Sequence, residues 1–411
     1  MSIHAKSSAG TPAAGINPRI FLLALGMFAL GTDAFVIAGV LPVIAHETGV
    51  QEGLAGQLVT AFSLVYGLGA PLVAVLTARW SPTRVLIVAL GLFCLSNLGS
   101  AIAPNFALLL VTRILTGCFA ATYAPLAYTV GIALAPPEKR GQALALIVMG
   151  TTVATALGVP LGTWVGEHLG WRFSFGLIVL LSGIAFLALL VFKLPQMAAP
   201  ARLSLRARLA PISQPVIVMA LLAALCWNIG IYLIYTYVAV ILQHNLRISD
   251  TSSLFVAFGL GLVVGSWSSG QLADRFGAQR PLLISLIALI IIEATLALVT
   301  TTFIGSYLIL FLWGALVGLV FIPQQHRLLS IAPEHANVIL ALNNSALYLG
   351  IAGGAAIGGL ALHVVPVSHL SWIGAAACLL ALVTFLFSLR LSAHSKKADP
   401  DTEVQDITVA P

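Results

Sequence analysis

The chain has 411 residues, of which 60% are hydrophobic and 8% charged, with a net charge of +6 and a mean hydropathy of +1.05. Soluble domains carry about 25% charged residues, so this composition excludes a water-facing globular surface and leaves lipid as the solvent. The basic excess is what cytoplasmic membrane loops supply, and it calls for no nucleic-acid partner.

Residues 1–18 are polar and rich in Ser, Ala and Gly, and read as a disordered N-terminus. Long apolar runs then predict helices over 19–44, 54–77, 84–103, 106–134, 141–166 and 171–193. A second set follows over 215–242, 251–273, 281–301, 305–326, 337–363 and 370–391. Each is long enough to cross a bilayer, which takes about 20 residues. The first run is too long for a signal-peptide core and reads as an uncleaved anchor.

Between the sets, 194–214 carries Pro195, Pro200, Pro211 and three arginines, and reads as a cytoplasmic linker with an interfacial helix near 203–209. It divides the chain into halves at 19–193 and 215–391, followed by a cytoplasmic tail over 392–411. The expected fold is an all-α integral membrane protein of twelve transmembrane helices in two pseudo-symmetric six-helix halves. Gly150 and Gly158 recur as Gly350 and Gly358, which supports a duplication. Parallel halves with a midplane site between them are a transporter architecture. Most basic residues outside the spans, including Lys6, Arg79, Arg84, Lys139, Arg140, Arg275, Arg280 and Arg327, fall on one side. Arg172 and Arg247 fall on the other, so both termini are expected in the cytoplasm.

Within the spans, polar residues are the informative ones. Asp33 sits near the middle of the first, where insertion costs roughly 2.5–3.5 kcal/mol. It reads either as a structural ion pair or as a protonatable site facing a cavity. Arg113 in the fourth span lies at a depth within one turn of it and is the candidate partner. Burial favours the neutral acid and Arg113 favours the carboxylate. Glu293, midway along the ninth span, reads either as a neutral hydrogen-bonded residue or as a second proton or substrate group. Tyr123, Asn228, Tyr232, Asn343, Asn344 and Tyr348 are candidate cavity residues, with helix-to-helix bonding as the competing role. Tyr66, Trp227 and Tyr235 are further aromatic candidates. Gly150, Gly158 and Gly162 form a smooth stripe on the fifth span, expected to pack on the other half, with Pro160 allowing a bend.

The four cysteines fall inside apolar runs at unrelated spacings, and the nine histidines lack metal-ligand spacing. No metal or cofactor is expected. Neither a phosphate loop nor a G-x-S-x-G or H-E-x-x-H motif occurs. That argues against ATP-driven transport and against an enzyme.

One loop carries a fuller signature. Gly270-Gln-Leu-Ala-Asp274-Arg275-Phe-Gly277-Ala-Gln-Arg280 stands between the eighth and ninth spans, with a degenerate copy from Ala74 through Arg79 to Arg84. Gly270 is expected to let helices approach and Gly277 to supply a positive φ. This pattern resembles the loop joining the second and third helices of each half in the major facilitator superfamily. Arg113-Ile-Leu-Thr-Gly117 resembles its fourth-helix signature, whose arginine the resemblance links to proton transfer. Gly150 through Gly166, including Pro160, resembles the fifth-helix signature of its antiporters.

The chain is therefore similar to the drug:proton antiporter-1 family, near arabinose-, purine- and chloramphenicol-efflux permeases. The resemblance implies a monomeric transporter of a bacterial inner membrane that exchanges protons for a small organic solute or drug. By pseudo-symmetry, Asp274 is expected near Gly141 as a conformational latch. The rival reading is a uniporter or importer of a sugar or nucleoside, in which Asp33 and Arg113 are only structural.

Overall fold

The computed structural model describes residues 16–77, 79–197 and 209–398. Twelve of its helices are long and apolar enough to cross a membrane. In the first half they are α1 (Arg19–Thr48), α2 (Glu52–Val73), α3 (Pro82–Ala101), α4 (Phe106–Leu134), α5 (Pro137–Leu169) and α6 (Trp171–Val191). In the second they are α7 (Pro215–Thr236), α8 (Ser252–Phe276), α9 (Gln279–Val299), α10 (Phe303–Ile331), α11 (Ala336–Ala361) and α12 (Leu370–Ala398). No strand occurs among the described residues.

Local chemistry sets the ends. Gly49 closes α1 in the left-handed region at φ 67°, where a side chain would be strained. Asn105 and Thr302 cap α4 and α10 by accepting from Leu108 and Gly305 backbone N–H groups, the same device in each half. Gly277 turns the chain after α8 at φ 73°. Hydroxyls inside the spans donate back one turn, as Thr32 does to the Phe28 carbonyl at 2.9 Å. That hides their polarity from lipid.

The halves repeat one packing scheme. In the first, Gly150, Gly158 and Gly162 of α5 lie against Ala24, Thr32 and Val36 of α1. In the second, Gly350, Gly354 and Gly358 of α11 lie against Asn228, Ile229 and Tyr237 at α7. The glycine stripe thus closes each half on its own first helix. The expectation that Gly150, Gly158 and Gly162 pack on the opposite half is corrected: α1 fills that face. Between the halves, Gly259 of α8 abuts Thr155 and Ala156 of α5, and Gly67 of α2 abuts Leu349 of α11.

Several boundaries differ from expectation. α7 breaks at Tyr237 and resumes over Val238–Leu246. The Tyr237 hydroxyl donates to the Ala355 carbonyl at 2.8 Å and occupies the space beside Gly56 and Gly359. α5 contains a π-turn at Ala154–Gly158 just before Pro160. Proline supplies no N–H and its ring crowds the carbonyl four residues back, and a widened turn relieves both. α12 stays helical through 398, beyond the expected end at 391. Arg327 is not a loop charge but is buried inside the second half. The expected N-terminal disorder lies largely, and the interfacial helix almost wholly, outside the described residues.

Candidate transport site

The structure brings Asp33 of α1 and Arg113 of α4 together. Both are fully buried, and Arg113 Nη1 donates to Asp33 Oδ1 at 2.6 Å. Nη2 also reaches the Asp33 backbone carbonyl at 3.4 Å. The guanidinium lies over the Phe62 ring at 4.5 Å, with Phe175 beyond. An aromatic face on a desolvated guanidinium adds to the carboxylate contact. Asp33 Oδ2 and Arg113 Nε have no protein partner, so the pair keeps one acceptor and one donor in reserve.

Beside this pair runs an aromatic seam between the halves. Phe35, two residues on from Asp33, stacks on Tyr232 of α7 at 5.8 Å and meets Tyr235 edge-on. Tyr66 of α2 stacks on Tyr348 of α11 at 3.6 Å. Tyr348 also lies within electrostatic range of Tyr128, Tyr232 and Asp33. Asn344 lies beside Tyr66. Candidates from both halves thus meet next to the buried ion pair. The Oδ1 atoms of Asn228 and Asn343, Trp227 Nε1 and the Tyr235 hydroxyl are buried with no protein partner.

Other candidates stand elsewhere. Tyr123 donates to the Leu23 carbonyl at 3.1 Å and fills the notch at Gly26. It pins α4 to α1 rather than lining a cavity. In the second half, Gln324 donates likewise to the Ala220 carbonyl. Asn228 spends its Nδ2 on Ala224 and packs on Gly350. Glu293 is buried within the second half, accepting from Trp313 Nε1 at 3.3 Å, and its Oε2 has no partner. Trp313 in turn packs on Phe258 and Tyr235, and Cys378, also beside Glu293, reaches the Trp227 carbonyl, so Glu293 meets the seam through these neighbours rather than directly.

The loop residues form a separate group at the end of the bundle that carries the chain termini. Asp274, Arg275, Gly277 and Arg280 are exposed, as are Arg79 and Arg84. Gly270 and Gly141 have open space where a side chain would project. The close approach expected of Gly270 is therefore not made in this conformation, and neither is a contact between Asp274 and Gly141.

Sequence reasoning missed three polar features. Arg327 donates to Ser388 Oγ at 2.7 Å and lies over Phe385, which its position near a span end disguised. Glu47 accepts from both Trp171 Nε1 and Arg172 Nη1, tying α1 to α6. Glu167 binds Thr251 across the halves. Carboxylates at span ends look like interfacial charges in a sequence, and only the fold reveals their partners.

A family model described as Major Facilitator Superfamily matches residues 23–355. The Escherichia coli K12 inner membrane transport protein YdhP is 32% identical, covering 91% of this chain and 97% of that one. The Bacillus subtilis MFS-type transporter YbcL is 33% identical, over 90% and 95%. A Helicobacter pylori protein named as a probable sugar efflux transporter is 30% identical, over 90% and 94%. Among solved structures, a D-xylose-proton symporter superposes with a TM-score of 0.74 at 18% identity, covering 89% of this chain and 96% of that one. The nucleoside transporter NupG gives 0.71 at 12% identity, over 91% and 100%. At those identities the superpositions establish the fold.

Proposed function

The chain belongs to the major facilitator superfamily, a transporter rather than an enzyme, and from that premise we propose that it exports a sugar-like solute in exchange for protons. The observation that carries the reading is the buried Asp33–Arg113 pair, with its unpartnered Oδ2, set against an aromatic seam shared by both halves. Aromatic faces suit the apolar faces of a sugar ring, and unpartnered amide and hydroxyl groups suit its hydroxyls. The relatives named for sugar efflux support that substrate class.

On this reading the terminus-bearing end is cytoplasmic, as the lysines and arginines argue. A proton from outside neutralises Asp33 and releases Arg113. Solute entering from the cytoplasm parts the Tyr66–Tyr348 and Phe35–Tyr232 contacts and competes with the protonated state. One proton moving down about 100 mV yields roughly 2.3 kcal/mol, and one pH unit adds about 1.4 kcal/mol. Together they sustain a gradient of roughly 400-fold for a neutral solute exchanged one to one.

The test uses proteoliposomes under an imposed pH gradient, with pentoses, hexoses and nucleosides as candidate solutes. The native protein should move protons when the transported solute is added. Asp33→Asn should lose uphill movement and keep downhill exchange. If Asp33→Asn drives uphill movement with the same proton flux, the pair is structural and the protein is not coupled through it.

A further inference from the structure

The end of the bundle away from the termini is where the halves are tied by titratable side chains. Glu167, at the end of α5, accepts from the Thr251 backbone N–H at 2.9 Å and from its hydroxyl at 2.8 Å. Thr251 is the residue just before α8, so the first half places a carboxylate on the second half's helix N-terminus. Asp250, which itself caps Ser252, lies beside Glu167. Two carboxylates at one helix start attract the dipole and repel each other. Next to them, His168 Nε2 faces Asp250 Oδ2 at 3.8 Å across the same seam. On the other side of the seam, Glu52 of α2 lies within electrostatic reach of His244. Both border a cavity of about 440 Å³ lined further by Gln243, Val240 and Leu362, which gives water a place beside them.

The His168 geometry has a definite protonation consequence. Its Nδ1 lies 3.0 Å from the Trp164 carbonyl, and a carbonyl only accepts, so Nδ1 carries the hydrogen. In the neutral ring, Nε2 then presents a lone pair to the Asp250 carboxylate. Protonation converts that opposition of two acceptors into an ion pair. The ring stays in place meanwhile, stacked on Trp164 at 4.8 Å.

We propose that this end of the seam is a proton-operated latch, in which His168–Asp250, Glu52–His244 and Glu167–Thr251 hold the halves together more tightly as the solution there is acidified. Charged imidazoles gain their carboxylates, and they carry the response. Protonation of Glu167 removes its repulsion of Asp250 but also its attraction to the α8 helix start, while its oxygen can still accept from Thr251. At alkaline pH three carboxylates face two neutral rings, and the seam loosens. The other titratable and charged groups of this end are His46, Glu47, Arg172, Arg247, Tyr307, His363 and His369. Glu47 is engaged by Trp171 and Arg172 within its own half, Tyr307 bonds Ser253 and His369 packs on Trp372 within theirs. Histidine is the side chain whose ordinary titration falls between pH 5 and 8.

The latch is measurable without any knowledge of the solute. The full chain, with its four cysteines replaced by alanine, would carry spin labels at P104C and T301C, exposed loop positions of the two halves at this end. Distance distributions in lipid nanodiscs at pH 5 and pH 8 should show the ratio of closed to open states falling roughly tenfold on alkalinisation, the size that two partly exposed ion pairs supply. The triple variant H168Q/H244Q/E167Q, built from partly or fully exposed positions, should give the same ratio at both pH values. A pH-independent native distribution overturns the proposal, and so does a triple variant that follows the native response.

Discussion

At the residue scale, the central fact is a buried ion pair whose members are each satisfied mainly by the other. Such pairs are costly to break singly because the survivor is left charged and unpaired. Arg113→Met should therefore destabilise the protein by about 3–5 kcal/mol, and adding Asp33→Leu should recover most of that. Thermal unfolding of the three purified proteins would check it; equal losses in single and double variants would show that packing dominates instead. Arg113→Lys keeps the charge but gives up the flat contact with Phe62 and the second bond to the Asp33 carbonyl, so it should not restore native transport.

Asp250 belongs to the same scale but to a wetter place. Burial works against its ionised form, yet hydrogen bonds from Ser252 outweigh that and hold its carboxyl below the usual carboxylate range. A depressed value means the capping contribution is present above the ordinary carboxylate range and is lost only as pH falls through the folded value. Between pH 5 and 8 Asp250 thus stays an anion, available to the His168 ring that faces it. Asp250→Asn should leave α8 capped, since asparagine also caps well. It should also abolish the His168 part of the pH response measured by the spin-label distances.

At the element scale, the fifth helix is shaped by its glycines and by Pro160. The glycines let α5 lie close on α1 by leaving room for α1 side chains, and Gly158 sits against Thr32 and Phe28. A methyl group there meets the Thr32 hydroxyl. Gly158→Ala should cost about 1–3 kcal/mol through overpacking and lower the unfolding midpoint. Gly141→Ala, in open space, is the matched control and should leave the midpoint unchanged. The π-turn at Ala154–Gly158 carries Ala156 into contact with Gly259 of α8. Pro160→Ala restores the missing N–H and favours regular winding, so it should shift that contact and alter transport more than stability. A transport rate equal to the native one would show that the widened turn is incidental.

At the scale of the whole molecule, the halves meet through the aromatic seam and through the end away from the termini. There Gly53 and Gly359 each approach the other's carbonyl. At the opposite end Asp274 is exposed and Gly141, near the start of α5, has open space where a side chain would project. Alternating access requires the reverse arrangement as well, and we propose that Asp274 meets the N-terminus of α5 when that end closes. A carboxylate at a helix N-terminus contributes about 0.3–1 kcal/mol, up to about 2 when partly buried. If that latch forms, Asp274→Asn should shift the population toward the state described here. Spin-label distances across the terminus-bearing end would report this as a larger open fraction, and unchanged distributions would rule the latch out.

Composition and run length alone indicated the bilayer and the twelve spans, because covering a backbone in lipid demands one long apolar helix per crossing, while the linker and the recurring glycines suggested the division into halves. Asp33, Arg113 and Glu293 stood out for the same reason: a charge in an apolar run has few places to go. What the sequence could not decide was which neighbour each surface met. A glycine stripe looks alike whether it faces its own half or the other, and only packing put Gly158 on α1. Tyr123 looked like a cavity residue until Leu23 and Gly26 claimed it, and Asn228 keeps only its Oδ1 free once Ala224 takes its Nδ2. Glu167, His168 and Asp250 carried no signal in the chain order at all. Their meaning arises from two span ends, far apart in sequence, that touch only because the two halves close against each other there.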